Sequence, residues 1–407
     1  MNEIKIGLLG LGTVGTGVVR ILQSHGAELT ERAGCRLTIA AIADLDLVRP
    51  REGLDLKRLP LSADAGRVLD DPSIHIVIEL MGGLEPARTF IVRALAAGKH
   101  VVTANKALLA HHGPELFEEA RRNRVMLGFE AAVAGGIPLI RAVKDGLPAN
   151  RIRSAFGIVN GTCNYILSKM TDEGLDSAHK LQILAMLAFR TAVDLKDIYT
   201  EGITGVSQED VVNARELGYR IKLLAIAKAS EGALEARVHP TMIPAASPMA
   251  AVSGVFNAVF ITGDNVGDLM FYGRGAGQLP TASAVWSDAL DVARRVAHGV
   301  PALAVDLPGP GPSPLPLRPI DDIRTAYYLR VMALDRPGTL AQVAGHLGQH
   351  GISLVSVLQK TRAERHEAVP VVMMTHEARE RDMRAALAAI DKLPVVASPT
   401  TMIRVEA

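Results

Sequence analysis

The sequence has little cysteine, few aromatic residues and almost no net charge. Its two cysteines, Cys35 and Cys163, lie far apart without paired spacing. That excludes a disulfide scaffold and a cysteine-based zinc site, and it suits a reducing compartment. Aromatics are 4% of the 407 residues, with a single tryptophan, so the core must be built from Ala, Leu, Val and Ile. The 44 basic and 43 acidic residues nearly cancel, which makes nucleic acid and anionic membrane poor partners. No apolar run reaches the roughly 18 residues of a membrane span. The apolar start, Ile4 to Ile21, has Glu3 and Lys5 beside it and five glycines within it. It reads as a buried strand entering a loop, not as a leader peptide. What remains is a soluble, cytoplasmic protein of two or three domains.

What is present is a globular balance, 48% apolar and 21% charged. Strand-like runs occur at Ile4–Leu9, Leu37–Ala43, Ile74–Leu80 and His100–Ala104, with amphipathic stretches at Thr16–Gln23 and Pro86–Ala97 between them. Such alternation implies βαβ units and a parallel sheet. A further strand, Val125–Phe129, leads into the glycine-rich Ala131–Pro138. In the middle, helices are expected at Leu175–Arg190, Glu209–Ala229 and Thr281–His298, and strands at Arg153–Val159, Ala251–Phe256 and Ala258–Gly263. Six prolines between Pro308 and Pro319 mark a stiff linker. Beyond it, strand Tyr327–Ala333, helix Thr339–His350, strands Ser353–Gln359 and Val369–Thr375, helix Glu380–Ile390 and strand Thr401–Val405 form a βαββαβ unit of ferredoxin-like type.

Gly10-Leu11-Gly12-Thr13-Val14-Gly15 follows a buried strand and opens a helix. In that context the glycines admit a pyrophosphate to a helix N-terminus. The acidic residue expected on the ribose is Asp44, 29 residues past Gly15, where roughly 20 is usual, so the first helix and its loop must be long. Asp44 favours NAD, whereas the nearby Arg49 and Arg51 would suit the 2′-phosphate of NADP. Lys106, in Thr103-Ala104-Asn105-Lys106, follows another parallel strand and points to the cofactor cleft or to solvent. Asp176 and Lys180 share a helix face, as an oriented proton donor or as a surface salt bridge. The histidines have no metal spacing; the adjacent His111 and His112 diverge on a helix.

Together these residues resemble homoserine dehydrogenase. The matching text is GLLGLGTVGTGVV at Gly7–Val19, HVVTANKALLA at His100–Ala110, FEAAVAGGIPLI at Phe129–Ile140, GIVNGTCNYILSKM at Gly157–Met170 and FYGRGAGQLPTASAV at Phe271–Val285. The tail, with Leu334-Asp335-Arg336-Pro337-Gly338, resembles an ACT regulatory domain. The resemblance implies a doubly wound Rossmann domain over residues 1–130, rejoined by about 281–305, and an α+β substrate and dimerisation domain over 131–280. A linker over 306–324 and an ACT domain over 325–407 would complete the chain. It implies reversible NAD(P)H-dependent reduction of aspartate 4-semialdehyde to homoserine, for threonine, methionine and isoleucine biosynthesis, by a homodimer or homotetramer. Lys180 would be the proton donor, Asp176 its anchor, and Lys106 would stand between cofactor and substrate. Thr103, Asn160, Gly161 and the Gly275–Gly277 loop would border the cofactor. Glu130, with the carbonyls of Val133, Gly135 and Ile137, would hold sodium or potassium. Asp335, Gly338, Ile352 and Ser353 would contact an amino-acid effector, threonine.

The chain also departs from the family. There, a helix and an acidic loop separate the equivalent of Met170 from the Asp-x-x-x-Lys helix, and a glutamate in that loop grips the substrate's amino group. Here Thr171-Asp172-Glu173-Gly174 leads straight into Leu175-Asp176, and about two dozen family residues are missing, with Glu173 the only nearby substitute. Losing a charge-assisted hydrogen bond removes about 1.5–3 kcal/mol, or roughly 10- to 150-fold in affinity. An alternative is therefore a nucleotide-binding, amino-acid-sensing protein of impaired activity.

Overall fold

The computed structural model describes residues 2–160, 171–301, 314–360 and 367–406. The N-terminal part runs β1 (Glu3–Leu9), α1 (Thr13–Ala33), β2 (Arg36–Ala43), β3 (Leu61–Ser62), α2 (Gly66–Leu69) and β4 (Ile76–Glu79). It continues with α3 (Ala87–Ala96), β5 (His100–Thr103), α4 (Lys106–Arg122) and β6 (Leu127–Gly128). The sheet order is β3-β2-β1-β4-β5-β6, parallel throughout. The order reverses between β1 and β4, so a crevice opens at their carboxyl ends. All four residues of β4 are buried, as expected of a strand covered by helices on both faces. The first helix is longer than Thr16–Gln23, and its length accounts for the wide gap between Gly15 and Asp44.

The second part contains α5 (Leu139–Arg141), β7 (Ile152–Ile158), α6 (Thr171–Phe189), β8 (Tyr199–Thr200), α7 (Gln208–Glu216), β9 (Tyr219–Ser230) and β10 (Ala233–Pro244). It ends with β11 (Phe256–Gly263), β12 (Gly267–Arg274) and α8 (Gln278–Ala297). Two expectations fail here. The helix expected over Glu209–Ala229 stops at Glu216, where Gly218 at φ +83° turns the chain into β9. β9 is paired on both sides and buried continuously over Leu223–Ala227, and such an apolar run carries no period that separates strand from helix. The strand expected over Ala251–Phe256 is instead a 3-10 turn, Pro248–Ala251, followed by irregular chain up to β11, and the long β10 and β12 were not anticipated. α8 returns to the first sheet and packs on α1, with the Trp286 indole donating to the Val18 carbonyl at 3.0 Å.

The tail forms β13 (Arg324–Leu334), α9 (Thr339–Gln349), β14 (Leu354–Gln359), β15 (Ala368–Thr375), β16 (Ala378–Arg379), α10 (Glu380–Ile390) and β17 (Val396–Val405). Its four main strands lie in the order β17-β13-β15-β14, the ferredoxin-like arrangement. This sheet is not separate from the middle one. β17 pairs in parallel with β10 at Thr241–Arg404 and Met242–Val405, which joins both into one 11-stranded sheet. The described end of the proline-rich stretch runs along the middle part: Leu315 N–H donates to Thr191 Oγ1, and Leu234 exchanges backbone hydrogen bonds with Pro316 and Arg318.

Candidate active site

The turn from β1 to α1 makes the groove. Gly10 has φ +95°, and a Cβ on Gly15 would stand 2.2 Å from the Gly10 carbonyl oxygen, so side chains are excluded at both. Gly12 caps α1 without any side-chain hydrogen bond, and a Cβ there would meet nothing within 4 Å. The amides that begin α1 at Thr13 and Val14 are thus available to an anion, which is what a dinucleotide pyrophosphate needs. A cleft of about 340 Å³ borders Gly10, Gly12, Asp44, Ala63, Leu80 and Phe90.

Asp44 lies at the end of β2, where its carboxylate accepts the Leu11 N–H at 2.5 Å and the Asp46 N–H at 2.8 Å. Arg51 is turned inward. Its guanidinium donates to the carbonyls of Leu11 (2.6 Å), Asp46 (2.9 Å) and Arg49, and its side chain is only 7% exposed.

The ends of β4 and β5 are tied together by a residue that the sequence reading missed, Glu79. It is fully buried, and its carboxylate accepts the Thr103 hydroxyl at 2.6 Å and the Met81 N–H at 2.7 Å. Burial pushes this carboxyl up, against the hydrogen bonds that favour its charged form. The available signal was an acid ending an otherwise apolar strand, Ile76-Val77-Ile78-Glu79. The Thr103 hydroxyl in turn accepts the Asn105 N–H, and Asn105 caps α4 through the Leu108 N–H at 3.1 Å. Lys106 therefore occupies the first position of a fixed helix.

Three candidate residues converge, Lys106 from α4 and the Asp176–Lys180 pair from α6. Asp176 on α6 receives Lys180 Nζ on Oδ2 at 2.7 Å and Lys106 Nζ on Oδ1 at 3.1 Å. Lys180 also donates to the Val159 carbonyl at 2.7 Å, and Asn160 Nδ2 donates to Asp176 at 3.2 Å. Burial pushes the Asp176 carboxyl up, but the ammonium groups of Lys180 and Lys106 outweigh it and hold the group below the ordinary carboxylate range. The i, i+4 pair is not an isolated surface salt bridge, because its carboxylate joins α4 to α6. Gly277, at φ +133°, caps α8, while Gly161 lies outside the described residues.

Comparison with known proteins agrees with this geometry. The Homoserine dehydrogenase family model matches residues 138–175 and 172–290, its NAD binding domain matches 10–130, and the ACT domain matches 327–395. The homoserine dehydrogenase of Pseudomonas aeruginosa is 43% identical over 436 aligned positions, which cover 100% of this chain and 99% of that one. That of Bacillus subtilis is 38% identical over 432 positions, covering 100% and 99%. A crystal structure of the Thiobacillus denitrificans homoserine dehydrogenase superposes with a TM-score of 0.91 at 44% identity, covering 100% and 99%. The chain belongs to the homoserine dehydrogenase family.

The chain is shorter than its alignment with these relatives. The 436 positions aligned with the Pseudomonas relative exceed the 407 residues, so at least 29 positions hold no residue of this chain. The family model matches in two stretches that meet at 172–175, just ahead of Asp176.

The remaining candidates lie in two other places. Glu130 is buried, and its oxygens accept the Ile140 and Arg141 N–H groups at 2.8 Å each. The Asp288 carboxylate accepts the Glu130 N–H at 2.8 Å, and burial pushes Asp288 up to about 7. Among the described residues, the Ile137 carbonyl accepts Leu139 N–H, whereas no donor is found on the carbonyls of Val133 and Gly135. No cluster of three or more His, Cys, Asp or Glu at metal spacing occurs among the described residues. In the ACT domain, Gly338 caps α9 at φ +86° without a side-chain hydrogen bond, and Asp335 N–H donates to Glu367. Ile352 is buried, and the Ser353 carbonyl accepts His376 N–H at 2.9 Å. Thr339, also missed, has a buried hydroxyl with no partner among the described residues.

Proposed function

We propose that this chain is a homoserine dehydrogenase, reversibly reducing aspartate 4-semialdehyde to L-homoserine with NAD in preference to NADP. The convergence of Lys106, Asp176 and Lys180 just past the carboxyl end of β5, in the sheet whose β1 opens into the glycine turn, carries this reading. A bound reduced nicotinamide supplies hydride to the aldehyde carbon. Gly10 to Gly15 hold the pyrophosphate, and Asp44 accepts hydrogen bonds from the ribose hydroxyls. Lys180 donates a proton to the substrate oxygen as negative charge develops there. Asp176 and the Val159 carbonyl aim the ammonium, while Lys106 holds the second carboxylate oxygen at the border of the groove. Two ammonium groups against one carboxylate leave positive charge where the alkoxide forms. The NAD preference rests on Asp44 lining the cleft and on the Arg51 guanidinium, 3.7 Å from Asp44, being engaged by the Leu11, Asp46 and Arg49 carbonyls.

The Glu130 segment offers only oxygen ligands, which suits a sodium or potassium ion. A cation there also offsets the burial of the Glu130 charge. The uncapped N-terminus of α9 and the orphaned Thr339 hydroxyl support an effector carboxylate near Asp335, Gly338, Ile352 and Ser353, with threonine the fitting amino acid. The protein works as a cytoplasmic homodimer or homotetramer, and a monomer by light scattering would refute that part. The break at 172–175 favours a weak grip on the substrate's ammonium group. The deciding assay follows NADH and NADPH oxidation with aspartate semialdehyde, with and without threonine. Turnover faster with NADH supports the whole reading. Nucleotide binding without turnover supports the sensor alternative.

A further inference from the structure

Lys180 shares its carbonyl partner with a residue so far unmentioned. Asn257, 1% exposed near the start of β11, donates from Nδ2 to the Val159 oxygen at 3.0 Å, beside Lys180 Nζ at 2.7 Å. The last rung between β7 and β11 joins Ile158 to Ala258. One step further, Asn257 lies opposite Val159, so the side-chain amide takes over where the ladder ends. Holding it there has a cost: Asn257 Oδ1 is buried without a partner among the described residues. The amide also displaces any side chain at Gly275, whose Cβ would lie 2.0 Å from it. The Val159 carbonyl already receives the Lys180 ammonium, so a second donor with an orphaned oxygen is not explained by satisfying that carbonyl alone.

We propose that Asn257 is a positioning residue of the reaction: it pins the Val159 carbonyl that aims Lys180. This rests on Lys180 being the proton donor. When Lys180 gives up its proton, the Asn257 amide keeps the carbonyl in place for the amine to be recharged. Without the pin, the carbonyl turns away and the ammonium loses an acceptor.

The test uses the full chain with two near-isosteric variants. Asn257→Leu removes both the donor and the orphaned oxygen. It is expected to keep or raise the thermal midpoint, lower kcat at least tenfold with KM changed less than threefold, and move the alkaline limb of the kcat profile to lower pH. Asn257→Asp donates only when protonated, so its activity is expected to recover as the pH is lowered. If the Leu variant does not fold, the Asp profile decides. A folded variant with kcat within twofold of the parent, or with an alkaline limb unmoved or moved upward, overturns the proposal. Lys180 ionisation is also followed by NMR of methyl-labelled lysines in the cofactor-free protein. That titration tests Asn257 even if the parent fails to turn over aspartate semialdehyde, a failure that would count against the proposed function instead.

Discussion

Two clusters of cations and carboxylates occupy this molecule, and they differ in what they leave unfinished. At the junction of the middle and ACT sheets, Arg404 (1% exposed) forks onto Glu380 (0%) and reaches Glu201 at 2.9 Å. Tyr327 and Arg384 complete the Glu380 carboxylate at 2.9 Å each, and Arg404 lies over the Tyr199 ring at 5.0 Å. Charges and donors are matched, and the central Arg404–Glu380 pair is closed to water, while Glu201 and Arg384 at its rim are 37% and 41% exposed. In the proposed active site Lys180, Asp176 and Lys106 are 12%, 24% and 36% exposed, with positive charge in excess. The same kind of ion pair builds a closed joint in one place and a site awaiting a negative oxygen in the other. Burial and charge balance, more than the pairing itself, separate structure from chemistry.

The largest test of this contrast is Lys180→Met, expected to lower kcat by about 10²–10⁴-fold with the thermal midpoint little changed, since a general acid contributes on that scale. The mirror image is Arg404→Met, expected to cost about 3–5 kcal/mol of stability by stranding the buried Glu380 charge. In urea unfolding, the pair Arg404→Met with Glu380→Gln should recover much of that loss. If Arg404→Met alone leaves stability intact, the junction is not the closed joint described. The junction also has a pH signature. Burial pushes Glu380 up, but the hydrogen bonds and charge of Arg404 outweigh it, so its folded value lies below the ordinary carboxylate range. Its contribution is therefore present above the unfolded value and is lost as pH falls through the folded one. The fall in stability on acidification should be shallower in the paired variant. Asp44→Ser should lower the NAD-to-NADP ratio of kcat/KM by about tenfold, the scale of one charge-assisted hydrogen bond. Smallest is the expected discrimination between aspartate semialdehyde and succinate semialdehyde, which lacks the amino group. With the family match broken at 172–175, it should stay below about tenfold, the weaker end of what one charged hydrogen bond supplies.

Local patterns carried the first and last parts of the fold. β1, the glycine turn and α1 were legible because strand burial and helix start follow one another within a few residues, and α10 matched its expected bounds of Glu380–Ile390. In the middle, α6, α8, β7 and β11 were legible too, but β9 and β10 were not, because they lie side by side and bury long runs whose composition suits a helix equally well. Of the site, the sequence marks Lys106, Asp176 and Lys180, but that Lys106 meets the pair is decided only by a 3.1 Å contact to Asp176 across 70 residues of chain. Glu79 and Asn257 were missed because a lone acid or amide in an apolar run carries no spacing to mark it.

The sequence by itself determined the nucleotide turn and the family, since each is written in contiguous residues. Only the tertiary structure decided that one carboxylate serves two lysines, that the Arg51 guanidinium is bound by backbone carbonyls beside Asp44, and that the ACT sheet continues the middle one. Those depend on distances between segments far apart in the chain, which packing sets and no local pattern records.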